Sequence, residues 1–476
     1  MEAQNSIYSN GYGINCFGRR VIVSDEEAIT RDNVCDVLGK AMETHTKNAN
    51  EITYLFGYER GNQPILSRVK EVRPEINNRV VENHASEIVN FYRGYVFGSP
   101  IAYIQRATND KDGIVTEEKD NNSIARLNAM FYEESKASKD QQLAKDFFTC
   151  GVGYRFIFPK KGKSGDSPFD LKSLDPARTF IIYSSDVLGG ELAGVFYYVD
   201  SDGTSHFTVY TDDKVFYITN DLTFTVTDEQ PNGIGMIPII EYKSNFDRMG
   251  MFERCLPILD AINLCTSDRM NGLAQFIQSF IWMNNVDLSK DDAAKFKEAL
   301  ILLTKNVDGT NQAQVKYLTS PLNQQSEQVL KDDLYNQMLQ ISGVPSRESN
   351  TGGDTGQAVQ LRNGFEIAES IAKSIEPVFE ECERNMLKVA LKIINTDDKT
   401  ADMSDLKLSD IGIQFNRNRT DALLTKVQAL VQLCAGGIHP LRAIEIVGLF
   451  SDAQQVYNDS KPYLKKYEYE ETDDTI

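Results

Sequence analysis

The sequence lacks the motifs that mark the common enzyme classes. No G-x-x-x-x-G-K-[ST] segment or G-x-S-x-G elbow is present, so neither P-loop nucleotide hydrolysis nor a serine nucleophile is indicated. The four histidines are far apart and form no H-E-x-x-H or Cys/His cluster, so no zinc site is predicted. A weak calcium-loop pattern has Thr108 at the first ligand position and Lys119 at the twelfth, which favours a surface turn. Carboxylates are plentiful, but no spacing marks an acid/base pair. We therefore expect no catalytic residue, no cofactor and no metal.

Positive charge is also scarce. The chain has 50 Lys and Arg against 69 Asp and Glu, a net charge of -19 at pH 7. Tight binding to phosphates requires clustered cations, so the negative net charge argues against tight binding of nucleic acid. It remains compatible with nucleic acid that passes nearby without adhering.

Cysteine pairing and long apolar runs are missing as well. The seven cysteines are scattered and include no C-x-x-C, which predicts reduced, mostly buried thiols in a cytosolic setting. The longest aliphatic stretch, Ala299–Leu303, is far too short to span a bilayer, and residues 1–5 do not resemble a signal peptide. The acidic segment 467–476 is predicted to be a disordered tail.

The periodicity predicts an α+β protein, and 476 residues are enough for two or three domains. Residues 1–24 are predicted to be irregular, and residues 25–150 mainly helical, with helices over Arg79–Tyr92 and Ile124–Cys150.

From Gly151 the apolar period changes to two. Short strands are predicted at Tyr154–Phe158, Thr179–Tyr183, Gly194–Asp200, Ser205–Tyr210, Lys214–Ile218 and Leu222–Thr227. Asp202-Gly203 is a hairpin turn signal between two of these strands. Residues 151–243 are therefore expected to form an antiparallel sheet attached to the preceding helices.

Two further helices are predicted to flank a compact insert. They cover Phe252–Met283 and Asn323–Ser342, and the insert between them carries a short helix at Asp291–Thr304 and a strand at Gln314–Leu318. The first helix presents apolar side chains that must be buried somewhere, at Leu256, Leu259, Ile262, Leu273, Ile277 and Phe280.

A polar loop and a long helix follow. The loop consists of Ser346, Arg347, Glu348, Ser349, Asn350, Thr351, Gly352, Gly353, Asp354 and Thr355. Its glycines before a helix could hold an anion, but no lysine accompanies them, which favours a flexible loop with a helix cap.

The helix that follows carries one continuous apolar stripe. Its steps alternate three and four through Ala358, Leu361, Phe365, Ala368, Ala372, Ile375, Phe379, Cys382, Met386, Val389 and Ile393. About 40 residues of helix would span roughly 60 Å. Pro377 interrupts the backbone hydrogen bonding, which predicts a kink near Lys373–Pro377. The stripe alone is better explained by a buried core helix.

Several stretches together resemble the phage portal proteins of the SPP1 type. They are Tyr54–Tyr58, Pro64–Leu66, Asn77–Asn83, Gly94–Ile101, Gly151–Tyr154, Leu174–Pro176, Gly235–Tyr242 and Ile341–Pro345. The resemblance extends from about Asp32 to Leu449 in the order found in the family.

The resemblance implies a portal-like architecture with seven parts. They are a wing (1–250), a first stem helix (251–283), a clip (284–322), a second stem helix (323–343), a tunnel loop (344–355), a long kinked wing helix (356–400), and a crown with an acidic tail (401–476). The tail beyond Lys466 is a departure whose role the resemblance does not settle.

The resemblance also implies a function. Such proteins form a ring of about twelve subunits at one capsid vertex. Double-stranded DNA passes through the ring without sequence specificity, and the ring docks the terminase motor and then head-to-tail connector proteins. The expected location is the virion, with major capsid and scaffolding proteins as neighbours, after assembly in the host cytoplasm and without a membrane.

Two other classes remain open. A packaging enzyme such as a terminase or nuclease would need a P-loop or a clustered acidic metal site. A scaffolding or adaptor protein with a coiled-coil arm would assemble without a closed ring.

Overall fold

The chain forms two compact units in a computed structural model. One unit contains Met1–Arg60, Ala85–Arg254 and Ser342–Ile476, and the other contains Gly61–His84 and Cys255–Ile341. The structure describes residues 18–71, 73–106, 121–160, 167–277, 280–284, 314–318, 324–346, 364–397, 400, 403, 406–415, 423–447, 449–450, 456–457, 459–460 and 462.

The first unit is built on a six-stranded sheet in the order β1-β5-β6-β7-β8-β9. These strands are Ile22–Ser24 (β1), Thr179–Ser184 (β5), Glu191–Val199 (β6), Ser205–Tyr210 (β7), Lys214–Asn220 (β8) and Phe224–Pro231 (β9). β1 pairs parallel with β5, and the other neighbours pair antiparallel.

One face of this sheet packs against helix α1, Val34–Glu59. Alternate residues of each strand point into the shared core: Phe180 and Ile182, Ala193 and Val195, Phe207 and Val209, Phe216 and Ile218. α1 contributes Val34, Val37, Leu38 and Ala41 from one face. Every second residue of these strands therefore packs against one face of α1, and together they form a single apolar layer.

A second sheet has the order β10-β3-β4, with strands Ile239–Lys243 (β10), Val152–Pro159 (β3) and Phe169–Leu174 (β4). Strand β2, Ala102–Gln105, pairs with β13, Ile411–Gln414. Among its described residues, this unit also contains the α-helices α2 (His84–Phe97), α3 (Asn121–Glu133), α4 (Lys136–Cys150), α7 (Phe365–Thr396), α8 (Leu423–Ala435) and α9 (Pro440–Val447).

In its described residues, the second unit contains two α-helices, a short 3-10 helix at Pro64–Ser67 and a pair of strands. The helices are α5, Leu256–Ile277, and α6, Gln324–Ser342, the last residue of which belongs to the first unit. Strands β11, Phe280–Asn284, and β12, Gln314–Leu318, pair antiparallel. Segment Gly61–His84, which lies within the predicted wing (1–250), also belongs to this unit.

The α+β class is confirmed, and so are the predicted strands and the turn. Gly203 closes the hairpin between β6 and β7 with a φ of 87°, a left-handed value that glycine adopts without strain. The prediction of a single sheet over residues 151–243 was wrong, because β3 pairs with β4 and β10 rather than with the six-stranded sheet. Residues 152–155 of β3 are all buried, so alternation could not identify their partners. The prediction of an irregular segment to residue 24 was wrong for the short strand Ile22–Ser24.

Two predicted helices have different bounds. The helix predicted at Arg79–Tyr92 starts only at His84, because the backbone N–H groups of Val80 and Glu82 donate to side chains of α5. The helix predicted over Ile124–Cys150 is two helices, broken where Ser135 takes a φ of 51°.

The stem and the long helix also differ from prediction. The first stem helix ends at Ile277 rather than Met283, and Phe280 lies on β11 opposite Leu318, so Phe280 is not a helical packing residue. The long helix is continuous from Phe365 to Thr396, with Gly364 in a left-handed conformation at its start. The predicted start at residue 356 and the stripe residues Ala358 and Leu361 lie outside the described residues.

The strand predicted at Gln314–Leu318 is confirmed, and the helix predicted at Asn323–Ser342 is found at Gln324–Ser342. The short helix at Asp291–Thr304, the weak calcium pattern and the acidic tail lie outside the described residues. Within those residues, no helix combines the length and apolar character that a membrane crossing requires.

Candidate functional site: loop base and anchored helix

The predicted tunnel loop begins at the edge of what the structure describes. Ser346 is half-buried, and Arg347–Thr355 lie outside the described residues. The chain is described again from Gly364, immediately before α7. Ser346 and Gly364 are therefore the described residues that flank this stretch of the chain.

Both ends are bound by one helix, α2. The hydroxyl of Tyr92, which is fully buried, donates to the backbone carbonyl of Ser342 at 2.7 Å. One turn further, the hydroxyl of Tyr95 donates to Oε2 of Glu369 on α7 at 2.8 Å. Positions i and i+3 lie on the same face of a helix, so one face holds the chain entering the loop and the helix leaving it. We call Tyr92, Tyr95, Ser342, Gly343 and Glu369 the loop base.

Gly343 closes the end of α6 at this point. Its φ is +69°, and a Cβ added here would lie 2.3 Å from Cδ1 of Ile371 and 2.8 Å from the Tyr92 hydroxyl. The position therefore requires glycine for two reasons, backbone conformation and close packing against α7. The next residue, Val344, is buried.

Most of the stripe on α7 is buried, as predicted for a packed helix. Ala368, Ala372, Ile375, Phe379, Cys382, Met386, Val389 and Ile393 are all at most 5% exposed. Phe365 at the start is 38% exposed. Pro377 lies inside the helix, on its exposed side. The kink at Pro377 stays a prediction.

A buried ionic cluster holds α7 six residues beyond Pro377. Glu383, with no exposed surface, meets Lys136 of α4 at 2.9 Å between Oε1 and Nζ. Lys136 also contacts Asp140 at 2.8 Å, and Asp140 accepts from Nη2 of Arg155 on β3 at 2.6 Å. Two cations and two carboxylates give a cluster with no net charge. We call Lys136, Asp140, Arg155 and Glu383 the ionic anchor.

Two tyrosines make further contacts with this anchor. The hydroxyls of Tyr103 and Tyr242 donate to the two oxygens of Glu383, the latter at 2.6 Å. The Arg155 guanidinium lies 5.3 Å from the centre of the Tyr242 ring, a cation–π arrangement. Nη1 of Arg155 lies 3.9 Å from Glu383 Oε2, too far for a hydrogen bond. The attraction between charges, rather than full hydrogen bonding, therefore holds that side of the anchor.

The cations of the anchor favour the charged form of Glu383. Burial alone would raise the pKa of Glu383, but the charges of Lys136 and Arg155 outweigh burial and the pKa is lowered. Burial and the charge of Glu383 raise the pKa values of Tyr103 and Tyr242 well above their ordinary value. These tyrosines therefore keep their hydroxyl protons and donate them in hydrogen bonds to the Glu383 carboxylate.

The stem residues in the second unit divide into two groups. Leu256, Leu259 and Ile262 of α5 are buried, whereas Leu273 is 44% exposed. The side chain of Ile277 lies outside the described residues. Other large apolar side chains of the two helices are also exposed, at Leu264, Met270, Val329, Leu330 and Ile341.

Sequence reasoning did not find the loop base or the ionic anchor. Lys136 and Asp140 are spaced i,i+4, and Glu383 adjoins the stripe residue Cys382, but these signals equally describe a solvated helix face. In the described part of the chain, no three His, Cys, Asp or Glu side chains are arranged to hold a metal ion.

Comparison with known proteins supplies the identity. A family model described as phage portal protein, SPP1 Gp6-like, matches residues 39–459, nearly the whole chain. A search of curated proteins gave no match. The chain therefore belongs to the SPP1 Gp6-like family of phage portal proteins. Family membership agrees with the α+β architecture and gives the chain a portal role at a phage capsid vertex.

Proposed function

We propose that this protein assembles into a closed homo-oligomeric ring of about twelve subunits, around a channel for DNA packaging and ejection. The ring docks the terminase motor and head-to-tail connector proteins, and it contacts major capsid and scaffolding proteins. Its role is structural rather than enzymatic. It acts in the virion, after assembly in the host cytoplasm. Portal family membership across residues 39–459 carries this proposal.

The exposed apolar residues of α5 and α6 support a ring. Leu264, Met270 and Leu273 of α5 are each 44–46% exposed, and Val329 and Leu330 of α6 are 53–55% exposed. Apolar side chains exposed at this density on two neighbouring helices indicate a surface that an assembly covers. Repetition of one heterologous contact by rotation closes a ring without leaving a free surface.

The loop base supports a channel function for Ser346–Thr355. Tyr92 and Tyr95 fix the two ends of the chain that carries the loop. Its sequence has one cation, Arg347, beside Glu348, and a further carboxylate at Asp354. We propose that this acidic balance keeps DNA moving, because each cation bound to phosphate would add affinity through counterion release.

Charge reversal in the loop tests the channel function. The double variant Glu348→Lys with Asp354→Lys is expected to slow DNA translocation at low salt and to recover as salt is added. Each new phosphate contact should change the salt dependence of DNA binding by about 0.9 in the log–log slope. Asp202→Lys with Asp221→Lys makes the same change of net charge at exposed turns of the six-stranded sheet and serves as the control. Equal translocation by the two variants at every salt concentration would exclude the loop from the DNA path.

Pro377→Ala tests the role of the predicted kink. Restoring the missing N–H should straighten α7 and impair packaging, while ring assembly persists. Packaging at the wild-type rate would show that the kink has no mechanical role.

The alternative is a scaffolding or adaptor protein that assembles without a closed ring. The ionic anchor disfavours a free coiled-coil arm, because it ties the middle of α7 into the core of its own unit.

A further inference from the structure

Five residues of the second unit are joined by polar contacts that return to their starting residue. Nη2 of Arg68 lies 2.7 Å from Oδ1 of Asp268 on α5. Three residues further along α5, Oδ1 of Asn271 accepts from N and Nδ2 of Asn78, at 2.6 and 3.0 Å. Asn77, the preceding residue, donates from Nδ2 to the backbone carbonyl of Arg68 at 3.0 Å. Residues three apart on a helix are neighbours on its surface, so these five residues lie close together. We call them the polar cluster.

Three atoms of the polar cluster are buried without a hydrogen-bond partner in the described structure. They are Nη1 of Arg68, Oδ1 of Asn77 and Nδ2 of Asn271. Asn271 itself is only 4% exposed. Nearly all buried polar atoms in folded proteins are hydrogen-bonded, either to the protein or to ordered water. Three unpaired atoms in one small cluster therefore indicate a ligand that the three side chains share.

Turning either amide over would not pair these atoms. Oδ1 of Asn271 already accepts from two donors of Asn78, and exchanging it with Nδ2 would place a donor against two donors. Nδ2 of Asn77 donates to the Arg68 carbonyl, and the turned amide would place oxygen against oxygen. The contacts therefore fix both amides, and the cluster offers two free donors and one free acceptor.

We propose that the polar cluster binds one buried water molecule. The water accepts hydrogen bonds from Nη1 of Arg68 and Nδ2 of Asn271, and it donates one to Oδ1 of Asn77. About three hydrogen bonds are typical of a buried water. A metal cation does not fit, because it would face two donors, one of them on a guanidinium. An anion does not fit either, because Oδ1 of Asn77 and the carboxylate of Asp268 would repel it.

The water attaches both Arg68 and Asn77 to the buried side of α5. The direct ion pair between Arg68 and Asp268 is open to solvent, with side-chain exposures of 22% and 51%, and such pairs contribute little to stability. Hydrogen bonds on the buried side are shielded from solvent and are therefore stronger. The whole site lies within the second unit, so it does not depend on ring formation.

Electron cryomicroscopy or crystallography of the full-length protein tests this site, at a resolution that shows other buried waters. The expected map has one peak at hydrogen-bond distance, about 2.7–3.2 Å, from all three atoms. Asn77→Leu removes the acceptor and keeps the branching of the side chain, so the peak should disappear. Asn62→Leu makes the same change at an exposed position of the same unit and should keep the peak.

Four results would overturn the proposal. The first is a wild-type map with no peak at this position, and the second is a peak that contacts only one of the three atoms. The third is a set of direct hydrogen bonds among the three atoms. The fourth is a peak with oxygen contacts shorter than about 2.5 Å, which would indicate a metal ion rather than water. A peak that persists unchanged in Asn77→Leu would overturn the role of Asn77 as acceptor. If Asn77→Leu does not fold, the wild-type map decides the matter alone.

Discussion

Glu383 provides the sharpest test of how the long helix is held. Glu383→Ala would leave Asp140 as the one anion of the ionic anchor beside the two cations Lys136 and Arg155, a net positive charge among side chains that are at most 4% exposed. Removing one partner of a buried ion pair costs about 3–5 kcal/mol, because the remaining charge is unpaired. We expect a loss of this size in the free energy of unfolding, against a total of about 5–15 kcal/mol for a typical domain.

Two further variants separate the charge effect from lost packing. Glu381→Ala removes a carboxylate that is 61% exposed, two residues away on the same helix, and should change stability little. Lys136→Met with Glu383→Met removes one charge of each sign and leaves Asp140 paired with Arg155. This double variant should recover most of the stability lost in Glu383→Ala.

Urea unfolding, followed by near-ultraviolet circular dichroism, measures all three variants. The reasoning is refuted if Glu383→Ala costs no more than Glu381→Ala, or if the double methionine variant is as unstable as Glu383→Ala. The first outcome would mean that the anchor contributes nothing to holding α7. The second would mean that side-chain shape matters at this site and that the balance of charge does not.

Two other predictions concern the loop base and a titrating carboxylate. Gly343→Ala should strain the left-handed backbone and press on Ile371 and the Tyr92 hydroxyl, costing about 1–3 kcal/mol, and thermal unfolding of the variant should show this loss. Burial, and then the charge of Glu241, raise the pKa of Glu191 from 4.5 to about 7, in a cleft of about 460 Å³ beside α7. The native state therefore binds this proton more tightly than the unfolded chain, and stability falls as pH rises from 4.5 to about 7. Glu191→Gln should accordingly match the wild type at pH 4 and exceed its stability by roughly 1–3 kcal/mol at pH 8, and an equal difference at both pH values would contradict the shift.

The sequence predicted elements well where a local pattern decided the structure. The Asp202-Gly203 turn, the strands around it and the buried stripe from Ala368 to Ile393 follow from period and turn chemistry. Strand partners could not be predicted in this way. The pairing of β3 with β10 joins residues far apart in the chain, and a strand buried on both faces carries no alternation to identify its partner.

The helix predicted from Arg79 shows how tertiary contacts override a local pattern. Val81, Ala85, Ile88 and Tyr92 have helical spacing, yet the chain remains extended until His84. The side chains of Ser267 and Asn263 on α5, some 180 residues later, accept hydrogen bonds from the N–H groups of Val80 and Glu82 and hold this segment in its extended conformation. The loop base and the ionic anchor could not be predicted from the sequence for the same reason. Tyr92 contacts Ser342, and Lys136 contacts Glu383, only in the folded chain.

The most direct test of the portal account is electron cryomicroscopy of the assembled full-length protein. The account predicts a closed ring with a central channel, with the chain between Ser346 and Gly364 facing that channel. It also predicts that α5 and α6 of neighbouring subunits cover the exposed leucine, methionine and valine side chains. Particles that are only monomers, dimers or open filaments would contradict the ring, and a ring with Ser346–Thr355 on its outer surface would contradict the DNA path.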